Sequence, residues 1–404
     1  MEKSHLLLLA ALRAAIKDDA FPEKITQEEL IALYRISKSH NVLPLVTEAL
    51  WKTGAIDGKK LALFISGAKK AIVGQAQRTG SFLLLYTSLQ EKGLSPAVLK
   101  GIVCRSLYPI PEQRPSIDED LLIAPEEFSS LDKALQEYGM TPEKRNEDVI
   151  TPDERAYSDS NGSLVIEVHT TPFSTENIAY CELNTLFAGA LDRTIEKQIE
   201  GITVRMLSPT DHLLYLICHA YKHLLYSGVG IRQVCDICLT AEEYAGEIEW
   251  GTLKEKCASE RILRFAAGMF RIGEIHLGFS MPKEFAGIEV DETALLEDIL
   301  SGGVYGTNDI DRTHSSTITL EAVSSQRIGR RNHGIWKTLF PERKYMEMKY
   351  SYVKRHPWLI PVSWLQRIGL YLSRTDKRHA KDPRKSMQIG KQRVALLREY
   401  GIID

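Results

Sequence analysis

Arg114-Pro115-Ser116-Ile117-Asp118-Glu119-Asp120-Leu121-Leu122-Ile123 is the stretch on which the reading of this chain turns. It opens at a proline and closes on three apolar residues, the pattern of a short buried strand with acids at its entry. Side chains at i and i+2 of a strand share a face, so Asp118 and Asp120 project together, about 7 Å apart along the pleat. Two carboxylates held in that way repel each other unless a cation sits between them. A divalent ion with a preference for hard oxygen ligands, magnesium or manganese, satisfies that need. The competing reading is an acidic, solvated strand entry that holds no ion.

The flanking segments favour the ion. Upstream, Pro96-Ala97-Val98-Leu99 reads as an apolar strand that ends at Lys100-Gly101, and Ile102–Tyr108 as a helix. Glycine permits a tight turn and close backbone approach to a ligand. A helix start offers free N–H groups and a positive dipole end to a phosphate, and Lys100 adds a point charge. Downstream, Leu164-Val165-Ile166-Glu167-Val168-His169 alternates as a strand and puts Val165, Glu167 and His169 on one face. Glu167 is the candidate third carboxylate and His169 a candidate partner beside it.

Val98-Leu99-Lys100-Gly101, Leu107-Tyr108-Pro109, Arg114-Pro115, Asp118-x-Asp120-Leu121-Leu122 and Ile166-Glu167-Val168-His169 together resemble the nucleotidyltransferase superfamily built on a polymerase-beta-like core. More narrowly, they resemble a bacterial family of uncharacterised nucleotidyltransferases. The resemblance is good over residues 80–240 and thinner toward the C-terminus. The superfamily's turn is Gly followed by Gly or Ser; here Lys100 precedes Gly101 and Ile102 follows, a Lys-Gly form that the narrower family shares. Where the superfamily carries an apolar residue between its paired acids, this chain has Glu119.

At 404 residues the chain has room for two or three domains. The expected division is a helical region over 1–92, an α/β core over 93–207 and a mainly helical domain over 208–404. The fold class expected is α+β, with a small mixed sheet flanked by helices on both sides in sequence. Hydrophobic residues make up 44% and charged residues 26%, as in ordinary globular proteins. A net charge of −2 gives no global attraction to nucleic acid. No apolar run reaches a membrane-spanning length. The Leu6–Leu9 run is short, is soon interrupted by Arg13 and lacks a following cleavage site. It reads as the first buried helix, and the protein as cytoplasmic.

Within the first region, Thr26 and Glu29 have capping-box spacing, and 61–91 reads as one long helix punctuated by Gly67, Gly74 and Gly80. In the core, Pro125–Tyr138 reads as a helix, Met140–Ile150 as a strand region and Thr151–Gly162 as a polar loop. Phe173–Leu186 reads as loop and helix, and Ile202–Leu207 as the final strand. Ser208-Pro209-Thr210-Asp211 is a helix opening, with Ser as N-cap and Pro at the first turn. On that helix His219, Lys222 and His223 share a face, and Arg232 and Asp236 share one on the next. These read either as solvated or internally paired faces or as a wall over the site. The resembled family carries similar His-x-x-Lys-His and Arg-x-x-x-Asp patterns, which imply that Lys222 or Arg232 holds a triphosphate.

Six cysteines in a chain this long do not form a disulfide framework. Cys235 and Cys238, with Cys218, His219 and His223 before them, could converge on zinc, but on helices the same spacing suits small buried hydrophobes. Residues 302–316 read as a polar loop, Trp336–Pro341 as the start of a last helical block, and the basic run 374–398 as a solvated tail or a phosphate-binding surface. No Walker A loop, H-E-x-x-H or G-x-S-x-G is present.

The resemblance implies an enzyme that moves a nucleotidyl group to a hydroxyl acceptor and releases pyrophosphate, with adenylyl transfer from ATP as the default because it is usual in that superfamily. Asp118, Asp120 and Glu167 are the expected catalytic residues and the expected ligands of two Mg2+ or Mn2+ ions, one serving the triphosphate and the other the acceptor hydroxyl. Lys100, Gly101, Arg114, Lys222 and Arg232 are the expected nucleotide-binding residues. The acceptor is a small molecule or a protein; nucleic acid and membrane are not expected partners. The alternative is a regulatory module that binds the nucleotide without turnover.

Overall fold

A computed structural model of the chain describes every residue except 22–24, 55, 57, 144–152, 227, 304–309, 328–342, 344–345, 347–349 and 374–382. Its organising element is a seven-stranded mixed sheet in the order β3-β4-β5-β2-β1-β7-β6. The strands are β1 Ala97–Val98, β2 Asp118–Leu122, β3 Thr141–Pro142, β4 Glu154–Ser158, β5 Val165–His169, β6 Ile195–Ile199 and β7 Ile202–Met206. β2 and β5 are parallel neighbours at the middle of the sheet. β1 lies antiparallel on the other side of β2 and parallel to β7.

Helices cover this sheet. Among the described residues they include α1 Lys3–Lys17, α2 Gln27–Ser39, α3 Leu43–Thr53, α4 Gly58–Glu91, α5 Ile102–Arg105, α6 Phe128–Tyr138, α7 Pro209–Leu225, α8 Ile231–Glu243, α9 Trp250–Ser259 and α10 Leu263–Leu277. The capping box that opens α2 is in place: Glu29 N–H donates to Thr26 Oγ1 at 3.3 Å, and Thr26 N–H to Glu29 Oε2 at 2.9 Å. Ser208 caps α7, accepting from Asp211 N–H at 3.3 Å. α4 runs unbroken through its glycines and packs against α6 and β7. Its Tyr86, fully buried, donates to Pro96 O at 2.9 Å and accepts from Arg205 N–H at 3.0 Å, which ties α4 to β1 and β7.

One apolar core runs from Leu7 through the sheet to Ile403, so the three stretches expected as regions share their buried surface. Toward the C-terminus, the helices Ile310–Arg327 and Pro383–Glu399 pack on each other, and the first also touches α7. No helix among the described residues is long and apolar enough to cross a membrane.

Several local expectations are corrected. The polar loop expected over 151–162 contains β4, which pairs antiparallel with β5. Only Tyr157 of Glu-Arg-Ala-Tyr-Ser is fully buried, so β4 lacks the apolar alternation that marks a strand. β6 was missed for the same reason: Glu196, Lys197 and Gln198 make it a polar edge strand. The helix expected over 102–108 stops at Arg105. A helix begins at Ile310, inside the loop expected over 302–316. Of the strand expected over 140–150, Thr141–Pro142 is strand and 144–150 lie outside the described residues. Trp336–Pro341 and 374–382 also lie outside them.

Candidate active site

The parallel register of β2 and β5 builds the site. Asp118 stands opposite Val165, Asp120 opposite Glu167 and Leu122 opposite His169. Asp120, Glu167 and His169 thereby converge from two adjacent strands, and Lys100 reaches them from the turn after β1. Lys100 Nζ lies 3.0 Å from Asp120 Oδ2 and 3.6 Å from Asp118 Oδ2. His169 Nε2 lies 3.3 Å from Asp120 Oδ1 and 3.8 Å from Glu167 Oε2. Only 2% of the Asp120 side chain is exposed, against 28% for Asp118 and 31% for Glu167. The deep acid is thus enclosed while the outer two open to solvent.

The environment splits these acids electrostatically. Burial raises the Asp120 pKa, but Lys100 and His169 outweigh it and hold the carboxyl at about 2. Glu167 goes the other way: burial, then the charges of Asp120 and Asp118, lift it to about 7. One carboxylate is firmly ionised and its cross-strand partner is poised near neutrality, the division of roles that acid–base chemistry needs.

The donor set fits a divalent cation. Asp120, Glu167 and His169 each offer a ligand atom, and the three atoms lie within 4.8 Å of one another. Asp120 Oδ2 and His169 Nε2 are buried without a well-aligned hydrogen-bond partner, although both lie within ion-pair range of a neighbour. Buried polar atoms left in that state point to a missing ligand. His169, expected only as a neighbour of Glu167, belongs to this converging group, whereas Asp118 joins through Lys100.

The Lys100-Gly101 turn is built differently from expectation. Gly101 has φ +62°, which only glycine adopts without strain. The Ile102 N–H at the helix start is not free for phosphate, because it donates to Glu119 Oε2 at 2.7 Å. That is the physical role of the unusual residue between the paired acids: Glu119 points to the opposite sheet face and packs behind the turn. There it also accepts from Arg105 Nη2 at 2.6 Å.

Arg114 and Arg232 are both buried and line one cavity with Lys100. Arg114 donates to both oxygens of Asp236, from Nε at 2.9 Å and Nη2 at 2.6 Å, and Tyr108 Oη donates to the same carboxylate at 2.8 Å. Arg232 Nη1 donates to the Pro115 carbonyl. The guanidinium groups therefore clamp the loop leading into β2 onto α8. Arg114 Nη1 and Arg232 Nε remain unpartnered. Both arginines border a cavity of about 20 Å³ with Lys100, His219 and Asp236, room for one water molecule.

α7 supplies the wall over the acids. His219 borders that cavity, and its Nε2 lies 3.2 Å from His223 Nε2, while Gln233 Nε2 approaches His219 Nδ1 at 3.4 Å. Burial, then the charge of Lys100, drives both imidazoles well below their ordinary pKa, so they are neutral. Lys222, half-buried, lies on the same helix and its charge acts on both. The cysteines expected as alternative zinc ligands do not converge: Cys218, Cys235 and Cys238 are buried free thiols, and among the described residues the one group of three or more candidate metal ligands is the acid–histidine cluster. Sequence reasoning missed Arg105, and it did not foresee that Glu119 pairs with Arg105 or that Asp236 pairs with Arg114. The available signal was charge: ionised residues in apolar surroundings need partners.

A family model described as "uncharacterised nucleotidyltransferase" matches residues 26–278. No curated protein and no solved structure matches the chain.

Proposed function

This chain belongs to the family of uncharacterised nucleotidyltransferases, and from that premise we propose that it transfers a nucleotidyl group from a nucleoside triphosphate to a hydroxyl acceptor, releasing pyrophosphate. The observation that carries the reading is the cross-strand pairing of Asp120 with Glu167, beside Asp118 and under Lys100. Asp118, Asp120 and Glu167 would hold Mg2+ or Mn2+, with His169 turned onto Asp120 and Glu167. Such an ion, when bound, supplies positive charge to the triphosphate and lowers the pKa of the attacking hydroxyl.

The chain's own residues do the rest. Lys100, held beside the acids, binds and orients the negatively charged triphosphate. Lys222 extends that positive surface from α7, while Gly101 lets the backbone turn beneath it. The acceptor oxygen attacks the α-phosphorus, a new O–P bond forms, and the bridge to the β-phosphate breaks with its electron pair leaving on pyrophosphate. The hydroxyl proton passes to a carboxylate oxygen of Glu167. Arg114 and Arg232 act by fixing the entry to β2. ATP is the default donor, on the resemblance to polymerase-beta-like transferases. The acceptor is a small molecule or a protein side chain bearing a hydroxyl.

The test is incubation with each of the four labelled triphosphates, with and without Mg2+ or Mn2+, against a metabolite and lysate panel. Metal-dependent label transfer with pyrophosphate release is the expected result.

A further inference from the structure

We propose that Glu119 is a positioning residue: its carboxylate is the strut that locks the Lys100-Gly101 turn to the acid-bearing strand, so that the lysine and the two aspartates engage a metal–triphosphate together. The proposal rests on the functional reading above. Its basis is that one buried side chain touches both halves of the site from the far side of the sheet.

Glu119 sits between Asp118 and Asp120 on β2, so any shift of its backbone moves both acids. Alternation sends its side chain to the opposite face, where it is 3% exposed. There Oε2 accepts from Ile102 N–H at 2.7 Å, and Oε1 accepts from Arg105 Nη2 at 2.6 Å. The fit at the turn is close: a Cβ on Gly101 would fall 1.9 Å from Glu119 Oε2. Glycine at this position therefore lets the strut reach the backbone, besides adopting φ +62°.

Arg105 extends the strut. It is 1% exposed and donates from Nη1 to Ser116 Oγ. Ser116 N–H in turn donates to Gln75 Oε1 of α4 at 2.8 Å. Residues on both sides of Asp118, Ser116 and Glu119, are thus bound to one guanidinium on α5, the helix that the Lys100-Gly101 turn begins. A buried pair used only for stability could be exchanged for apolar residues at little cost. A pair that sets the spacing of Lys100 from Asp118 and Asp120 could not be exchanged without loosening the site.

The measurement is the coupling between metal and triphosphate binding, read by calorimetry with the α,β-methylene analogue of ATP with and without Mn2+. Two paired variants are compared with the wild type. Arg105→Met with Glu119→Leu keeps the volume apolar but removes the acceptor for Ile102 N–H. Arg105→Met with Glu119→Gln keeps that acceptor. In the wild type Mn2+ should tighten the analogue strongly, and the Met/Gln variant should retain most of that effect. The Met/Leu variant should lose at least roughly tenfold of it, a coupling loss that a change in stability alone does not produce. A Met/Leu variant that folds and keeps the full wild-type coupling overturns the strut. Absence of coupling in the wild type instead overturns the functional reading, and the strut with it. Amide exchange at Ile102 in the wild type needs no variant to fold: it should be slow, and exchange as fast as that of a solvent-facing turn contradicts the contact.

Discussion

Asp120 lies directly opposite Glu167 on the neighbouring parallel strand, and the two carboxyls are pushed in opposite directions, Asp120 below and Glu167 above the ordinary carboxylate range. The difference arises from what each touches. Asp120 has Lys100 and His169 within 3.3 Å, whereas Glu167 is partly desolvated and faces two other acids. The concentration of negative charge implies that a bound cation stabilises the fold. At a hundredfold excess over Kd, metal should stabilise the protein by about 2.7 kcal/mol, seen as a rise in Tm with Mg2+ or Mn2+. The combined Asp118→Asn and Asp120→Asn variant should show no rise. A variant that responds like the wild type places the metal elsewhere.

The raised Glu167 pKa sets a pH dependence. Its folded value of about 7 lies above the ordinary 4.5, so the folded, metal-free protein retains a proton that the unfolded chain releases. Metal-free stability from this group is therefore greatest below pH 4.5 and falls as pH rises toward 7. Metal needs the ionised carboxylate, so Mn2+ affinity should climb as pH rises through about 7. Glu167→Gln should flatten both profiles, and an unchanged affinity profile in that variant would assign the titration to another group.

Lys100 occupies the position from which a cation neutralises Asp118 and Asp120. Lys100→Met removes that competing charge and leaves the buried Asp120 with His169 as its remaining partner. The variant should be less stable without metal, bind Mn2+ more tightly by roughly tenfold, about 1.4 kcal/mol, and bind triphosphate more weakly. Weakened Mn2+ binding would show that the ammonium supports the metal site instead of competing with it.

Arg114 separates a frame residue from a nucleotide ligand. Breaking its buried pair with Asp236 leaves an uncompensated carboxylate, so Arg114→Met should cost roughly 3–5 kcal/mol of stability. Arg114→Met combined with Asp236→Leu should recover much of that loss in a denaturant titration. Were Arg114 a direct phosphate ligand alone, the single variant would keep its stability and lose only nucleotide affinity.

How far the sequence foretold this arrangement depends on the kind of signal. Asp118 and Asp120 were legible because i and i+2 on a strand must share a face, and Glu167 because its strand alternates cleanly. The α2 and α7 caps were legible because capping is local. β4 and β6 were not, since polar residues such as Arg155 and Lys197 hide the strand period. The partners of Arg114 and Glu119 were out of reach for a different reason. Asp236 lies far along the chain from Arg114, and only the packing of α8 on the β2 entry brings them together. Arg105 is near Glu119 in sequence, yet their pairing depends on the turn at Gly101 folding back over the sheet.

The most direct test of the account is a comparison of triphosphate affinity with pyrophosphate release in the wild type and in Glu167→Gln. The substitution keeps size and hydrogen bonding but removes the proton-accepting charge, while Asp118, Asp120 and Lys100 remain. ATP affinity by calorimetry should stay near the wild-type value, and the rate of metal-dependent pyrophosphate release should fall by roughly 10²–10⁴. Equal losses in both would mean that Glu167 serves triphosphate binding as much as proton transfer. Triphosphate binding without any pyrophosphate release from the wild type, across all four nucleotides and a broad acceptor panel, would contradict nucleotidyl transfer itself.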